Sequence, residues 1–264
     1  MSDVSTSFPP AVWERVVCGI DGTPAGLEAA RQVARLMPAS ARLTLSTVIS
    51  PPAVQAGGFL EKALTREAEE WLETARGEIA SRHGAELHLR EGPTIGLLLD
   101  ELAGEHATLV ALGSHGHSRA AGMAFGSVAS AMLHEAPCSV LIAHATAHTE
   151  ESLDGVLVGF DGSAGARRAL AAGRELAQRL SLDLRVVIGG GDRLGRPGWL
   201  AEEEIGPELA LIEDPRDPVE ALLDASASCG LLILGSRHLR GVPALGSVSD
   251  RVAHRAVCPV LVVR

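Results

Sequence analysis

Residues 16–23 read VVCGIDGT and residues 156–163 read VLVGFDGS, so one pattern stands near the start of each half of the chain. In both, a short apolar run typical of a buried strand ends in Asp-Gly followed by a hydroxyl side chain. The halves match again near their ends, where residues 126–142 read GSVASAMLHEAPCSVLI and residues 246–262 read GSVSDRVAHRAVCPVLV. This internal repeat indicates that the chain consists of two copies of one folded unit.

The two copies differ in length. The aspartates of the copies are 140 residues apart, whereas their Gly-Ser pairs are 120 apart, so the second copy is shorter by about twenty residues between these points. We place the first unit at residues 1–148 and the second at residues 149–264. The glycine-rich stretch 189–207 is too short for the long helix of the first copy, and we therefore predict that the second unit has lost one helix.

Strand and helix patterns alternate along both copies. Apolar residues recur at helical spacing, as at Leu64, Ala68 and Ala75, between short runs rich in β-branched residues and leucine. This alternation predicts an α/β fold with two tandem, doubly wound, Rossmann-like parallel sheets, in which ligands bind beyond the carboxyl ends of the strands. The predicted strands of the first copy are 15–20, 42–49, 86–90, 107–113 and 138–143, and its predicted helices are 24–37, 60–83, 94–104 and 126–135. The predicted strands of the second copy are 155–160, 183–188, 208–212, 230–235 and 258–263.

Composition and charge argue against several classes of function. A net charge of −10 disfavours nonspecific binding to nucleic acid or to an acidic membrane, and no apolar run approaches the roughly 20 residues that cross a bilayer. The four cysteines show no CxxC spacing, so we expect reduced thiols in the core. The first ten residues lack the features of a secretion signal, and we expect a cytoplasmic protein.

A glycine-bearing loop is the strongest candidate site. Gly113 and Gly116 follow an apolar strand pattern, and nine residues later Gly126-Ser127 opens a helix pattern. Such a loop can present backbone N–H groups to phosphate oxygens, and the helix start adds unpaired N–H groups and a positive dipole end. Lys62 is the only lysine and no GxxxxGK[ST] occurs, so any phosphate must be held by backbone N–H groups, hydroxyls or arginine.

This loop resembles the nucleotide-binding signature of ATP-binding universal stress proteins, in which Gly-x-x-Gly, here Gly113 to Gly116, is followed after nine residues by Gly-Ser, here Gly126-Ser127. The resemblance to the family covers both halves of the chain, at about residues 15–144 and 155–264. The resemblance implies that ATP, with or without Mg²⁺, binds the first copy. It implies that the loop and helix start hold the phosphates, that the aspartate ending the first strand lies at the nucleoside, and that the end of the second strand lies at the adenine. The residues implied are Ile20, Asp21, Gly22, Thr23, Val48, Leu112, Gly113, Gly116, Gly126, Ser127 and Val128.

The second copy departs from this signature. His238 stands where the second glycine of the loop would be, and only seven residues separate it from Gly246. A non-glycine residue is strained in a left-handed conformation, and a shorter loop offers fewer amides to a phosphate. We therefore expect a weakened or lost site, although Asp161 remains and Arg237 or Arg240 can supply charge to an anion.

The histidines, the tryptophans and the glycine run at 189–191 do not indicate a further binding site. His115 and His117 lack a third ligand at fixed spacing, so we expect no metal site there. The tryptophans are too dispersed to stack a nucleic-acid strand, and we expect them to serve packing. Gly189 to Asp192 is interpreted as a flexible connection, because no GxGxxG pattern follows it.

The sequence is compatible with three functions, which it supports to different degrees. The first is a nucleotide-responsive regulator of the stress response, in which bound ATP stabilises one state of the protein and alters its interaction with a partner. The second is a scaffold or dimerisation module with an empty loop. The third is an ATP-consuming enzyme, which lacks support because no nucleophile motif, lysine clamp or general base is evident, so we expect slow ATP turnover or none.

The last strands of the two copies are candidates for assembly. Universal stress protein domains commonly pair through that strand, so we predict that residues 140–142 and 260–263 join the two copies and close exposed edges. The resemblance further implies a homodimer of the whole chain, with an adenine nucleotide as its small-molecule partner. The net charge and the lack of a long apolar run predict no nucleic-acid or membrane partner.

Overall fold

In the computed structural model of the protein, the described residues are 13–50, 59–116, 125–144, 154–190, 209–236 and 248–264. Strands and helices alternate in both halves. The first half contains β1 (Arg15–Gly19), α1 (Pro24–Leu36), β2 (Arg42–Ile49), α2 (Phe59–Ile79), β3 (Glu86–Glu91), α3 (Thr94–Gly104), β4 (Leu109–Gly113), α4 (Ser127–Glu135) and β5 (Ser139–Ala143). The second contains β6 (Val156–Gly159), α5 (Ala164–Leu180), β7 (Leu184–Gly189), β8 (Ala210–Asp214), α6 (Pro218–Ser226), β9 (Leu231–Gly235), α7 (Val248–Arg255) and β10 (Val260–Val263).

The ten strands form one sheet. Their order is β3-β2-β1-β4-β5-β10-β9-β6-β7-β8, and every neighbouring pair is parallel except β5 and β10. The predicted α/β fold with parallel sheets is confirmed, and so is the predicted junction, because Leu141 and Leu261 are partners across β5 and β10. The sheets of the two halves are therefore continuous, and each half keeps the strand order of a doubly wound fold.

Helices cover both faces of the sheet. On one face α1, α2 and α5 pack on a single buried cluster that includes Ala29, Leu72 and Leu176 and spans both halves. On the other face the halves have separate clusters, one around Leu102 and Met132 and one built from α6, α7 and their strands. Such two-sided burial explains why the central strands are almost uniformly apolar.

The repeated Asp-Gly-hydroxyl motif shapes the turn from the first strand of each half into its first helix. Gly22 has a φ of +74°, a conformation that glycine adopts without the strain a Cβ would bring. Thr23 then caps α1, with its hydroxyl accepting a hydrogen bond from the Gly26 N–H at 3.1 Å. Gly162 and Ser163 repeat both features in the second half. The motif therefore has a structural role in each copy.

Several predicted boundaries shift. The helix predicted over 60–83 ends at Ile79, where turns close through hydrogen bonds from the Arg82 and His83 N–H groups to the Ile79 carbonyl at 2.9 and 3.0 Å. The strand predicted from residue 107 begins at Leu109. The unit boundary at residue 148 lies outside the described residues. So does the predicted helix loss within 189–207, except that Gly189 ends β7 and Gly190 follows it with a φ of +83°.

All four cysteines are buried, so their predicted place in the core is confirmed. Among the helices that the structure describes, none is both long and apolar enough to cross a membrane.

Candidate functional site

A cavity of about 720 Å³ opens at the carboxyl ends of β1, β2 and β4. The turn after β1 and the loop after β4 supply one part of its wall, and the start of α4 closes that side. Residues of α2 and α3 line the remainder. The lining residues are Gly19, Ile20, Asp21, Ser46, Thr47, Val48, Ile49, Ser50, Leu64, Glu67, Ala68, Trp71, Thr94, Leu98, Leu112, Gly113, Gly116, Gly126, Ser127, Val128 and Ala129.

Most of the residues implied by the signature meet at this cavity. Ile20, Asp21 and Val48 line it, as do the implied residues of the loop after β4 and of the α4 start: Leu112, Gly113, Gly116, Gly126, Ser127 and Val128. Gly22 and Thr23 do not line it. They form the turn and helix cap behind Asp21, because their backbone and hydroxyl groups are used within the motif itself.

Asp21 divides its two carboxylate oxygens between two environments. Oδ1 accepts hydrogen bonds from the backbone N–H of Thr23 at 3.1 Å and from its hydroxyl at 2.6 Å. Oδ2 faces Gly116, where an added Cβ would lie 3.1 Å away. Asp21 therefore fixes the start of α1 through one oxygen and presents the other toward the loop after β4.

Close packing accounts for one of the signature glycines, Gly113, but not for Gly126. A Cβ on Gly113 would lie 2.6 Å from the backbone carbon of Ala25 and 2.7 Å from the nitrogen of Gly26, so this glycine allows α1 to pack against β4. Among the described residues, a Cβ on Gly126 would meet other atoms at ordinary contact distances, 3.5 Å or more. Close packing therefore explains Gly113 and leaves Gly126 unexplained.

Helix α4 begins at the cavity, and no side-chain hydrogen bond from its N-cap residue caps its first N–H groups. Gly126 is the N-cap residue and carries no capping group, while its own N–H donates to the Ser114 carbonyl at 2.8 Å. Ser127, Val128 and Ala129 follow in the first turn and line the cavity. The start of α4 thus presents backbone donors and the positive end of the helix dipole to the cavity.

The charged side chains among the described lining residues are those of Asp21 and Glu67, which are both acidic. Positive potential in the described part of the cavity therefore comes from backbone N–H groups and the α4 dipole. Lys62 does not line it. His115, next to the loop glycines, has its Nδ1 2.8 Å from the Ser114 hydroxyl oxygen.

Trp71 lines the cavity, although the sequence suggested only a packing role. Its indole lies against Gly22, since a Cβ there would come within 2.2 Å of the ring. Thr94 and Leu98 of α3 also line the cavity and were not predicted. The helical spacing of Trp71 within α2 showed that it faces the sheet, but not that this face extends past the strand ends.

A buried carboxylate lies behind the cavity wall. Glu101 of α3 is 5% exposed. Its Oε2 accepts a hydrogen bond from the Ser46 hydroxyl at 2.5 Å, and its Oε1 lies 2.6 Å from His88 Nδ1. Because Ser46 lines the cavity, its hydrogen bond to Glu101 fixes the position of one polar group of the cavity wall. The three residues belong to α3, β2 and β3, and no motif in the sequence links them.

The second half repeats the helix–strand packing of the first. A Cβ on Gly235 would lie 2.2 Å from the backbone carbon of Gly165, as Gly113 approaches Ala25 in the first half. Gly235 therefore recurs for packing, whether or not the loop binds a ligand. The residues that distinguish the second loop, Arg237, His238, Arg240 and Gly246, lie outside the described residues, as do His117 and Trp199.

The fold and cavity define a duplicated, doubly wound α/β protein with a ligand-sized cavity at the carboxyl edge of its first half. The model of the universal stress protein family matches residues 13–144 and 199–264. The chain therefore belongs to the universal stress protein family.

Several proteins of known sequence or structure are similar to this chain. A universal stress protein of Mycolicibacterium smegmatis is 29% identical over 288 residues, covering 94% of this chain and 96% of that protein. The crystal structure of a universal stress protein from Archaeoglobus fulgidus has a TM-score of 0.75 at 23% identity, covering 95% of this chain and 96% of that one. Another universal stress protein structure, solved in complex with cAMP, has a TM-score of 0.43 at 23% identity, and the match covers 51% of this chain and 99% of that one.

Proposed function

We propose that the first unit, residues 1–148, binds ATP in the cavity and that the protein is a cytoplasmic, nucleotide-responsive regulator of the stress response. The observation that carries this proposal is the uncapped start of α4 at a cavity of about 720 Å³. Gly126 keeps that helix start open, because most N-cap residues would place a side chain over the same N–H groups.

The two parts of the cavity wall suit the two parts of an adenine nucleotide. Gly116 and Ser127 would hold the phosphates through backbone N–H groups next to Gly126, whose own N–H donates to the Ser114 carbonyl, and the Asp21 Oδ2 would accept from a ribose hydroxyl. Ile20 and Val48 would contact the nucleoside and adenine as apolar surface. The preference for adenine rests on the family signature.

Magnesium would enter with the nucleotide. Within the described residues no group of three His, Cys, Asp or Glu side chains could hold a metal ion, so Mg²⁺ would be held mainly by phosphate oxygens. With acidic rather than basic side chains in the described lining, we infer slow ATP hydrolysis or none.

A regulator requires that ATP binding changes the population of a state that a partner recognises. The second unit, residues 149–264, would then act chiefly as a structural partner, because β10 covers the edge of β5. These strands are occupied within one chain, so a homodimer would need another surface. The same pairing supports the alternative function, a scaffold that binds no nucleotide.

The test compares two substitutions at Gly126 by titration calorimetry of the full-length protein with ATP. Gly126→Asp caps α4 and places a carboxylate at the phosphate position, so we expect affinity to fall on the order of 100-fold. Gly126→Ala is the matched control, since its Cβ fits at 3.5 Å or more and φ is −74°. Equal ATP affinity in the two variants would refute the proposed phosphate position.

A further inference from the structure

Two thiols meet in the core of the second half. Cys229 precedes β9, Cys258 precedes β10, and their Sγ atoms are 3.6 Å apart. Each residue is 1% exposed. The two positions are 29 residues apart in sequence, so no CxxC spacing reveals the pair.

The surroundings of the two sulfurs are unequal. The hydrogen bond between the two sulfurs lowers the pKa of Cys229 against the opposing effect of burial, and the positive charge of Arg185 lowers it further. Arg185 is held near by a hydrogen bond from its Nη2 to the Ser228 carbonyl at 2.5 Å. The bond to Cys229 and burial both raise the pKa of Cys258. Cys229 is thus the more readily ionised thiol of the pair.

The first half provides an internal comparison. Cys138 occupies the position of Cys258 in the repeat, but the residue equivalent to Cys229 is Ala107. Cys138 is buried, and burial raises its pKa to about 11. The thiol pair is therefore a feature of the second half alone, where the repeat itself does not require it.

We propose that Cys229 and Cys258 are a reversible redox site that forms an intramolecular disulfide when the protein meets hydrogen peroxide. The Cys229 thiolate attacks one peroxide oxygen, the O–O bond breaks, and a sulfenic acid and hydroxide form. The Cys258 sulfur then attacks the Cys229 sulfur, the S–O bond breaks, and the disulfide forms. Two thiols lose two electrons and two protons, and one peroxide becomes two waters.

The position of the pair allows this chemistry. The sulfurs must approach from 3.6 Å to about 2.05 Å, a movement within the reach of side-chain rotation. Each cysteine directly follows an exposed residue in the sequence, since Ser228 is exposed and Val257 is 62% exposed. A small neutral oxidant therefore needs only a local opening of the segments that precede β9 and β10.

The test uses the folded, reduced, full-length protein. It is incubated with hydrogen peroxide, then denatured, alkylated and mapped by mass spectrometry without reductant. We expect a peptide pair joined through Cys229 and Cys258, with Cys18 and Cys138 alkylated, and full reversal by dithiothreitol. The disulfide should also raise Tm, on the order of 5 °C, because it restricts the unfolded chain.

Matched variants separate the pair from general thiol oxidation. Cys138→Ser should form the same crosslink, and Cys258→Ser should form none. Wild-type protein in which all four cysteines remain alkylated after peroxide, or in which Cys229 pairs with Cys138, would overturn the proposal and leave an S–H···S packing contact. The wild-type peptide map decides the question even if Cys258→Ser does not fold.

Discussion

One oxygen of Asp21 accepts hydrogen bonds from both the backbone N–H and the hydroxyl of Thr23, at 3.1 and 2.6 Å. The same aspartate therefore shapes the turn into α1 and faces the cavity. The second half repeats the turn, with Asp161 Oδ1 accepting from the Ser163 N–H at 3.0 Å. Comparison of the two aspartates separates the structural role from the ligand-binding role.

Removing the Asp21 side chain should affect both stability and ATP binding. We expect Asp21→Ala to lower the free energy of unfolding by about 1–2 kcal/mol, because the Thr23 N–H and hydroxyl lose their acceptor. Asp21→Asn retains an acceptor oxygen, so it should keep most of the stability and still weaken ATP binding about 10-fold. Denaturant unfolding and calorimetry measure the two effects. Asp161→Ala is the control, and a loss of ATP affinity in that variant would contradict the assignment of the site to the first half.

Gly22 should tolerate no side chain. With φ at +74° and the Trp71 ring 2.2 Å from an added Cβ, Gly22→Ala should cost about 2–4 kcal/mol of unfolding free energy. Gly77→Ala is the matched control, since it lies within α2 with nothing inside 4 Å of its Cβ, and it should stabilise by about 0.5–1 kcal/mol. Denaturant melts followed by circular dichroism test both. Equal midpoints for the two variants would show that Trp71 does not pack on this turn.

The buried Glu101 should matter for stability despite its distance from any motif. Glu101→Ala leaves the Ser46 hydroxyl and His88 Nδ1 without this partner, and we expect a loss of about 2–4 kcal/mol. Glu101→Gln can serve both partners and should lose less. The exposed neighbour Asp100 provides the control through Asp100→Asn. An unfolding midpoint of Glu101→Ala equal to that of wild type would contradict the network.

Acid should destabilise the fold partly through His144. Burial is the main cause that lowers the pKa of His144 from 6.5 to about 4. The unfolded chain therefore binds a proton at higher pH than the folded chain, so stability present above pH 6.5 is lost as the pH falls toward 4, by about 3 kcal/mol in total. His144→Gln should lose correspondingly less stability between pH 7 and pH 4.5. Parallel pH profiles for the two proteins would show that His144 does not contribute.

The sequence predicted the repeat and the strand and helix alternation, because both depend on local periodicity or on matching motifs, whereas the junction of β5 with β10 was predicted from the family resemblance. It could not separate two uses of glycine. Gly113 is part of the nucleotide signature, yet the approach of Ala25 and Gly26 explains it by packing. That contact joins elements far apart in sequence, and only three-dimensional structure reveals it.

Contacts between distant segments account for the other omissions. Trp71 follows the helical pattern of α2, but its place at the cavity depends on where α2 crosses the ends of the strands. Cys229 and Cys258 were predicted as separate core thiols, and their 3.6 Å approach follows from the pairing of β9 with β10. Pairing between strands is set by the whole sheet, so neither residue's local sequence contains it.

The number of ATP molecules bound per chain, measured by titration calorimetry on nucleotide-free full-length protein, tests the assignment of the site most directly. Backbone donors at the start of α4 belong to the first half, and the second loop lacks the second signature glycine, so we predict one ATP per chain. Two per chain would show that the second half also binds, and no binding of any adenine nucleotide would contradict the proposed function.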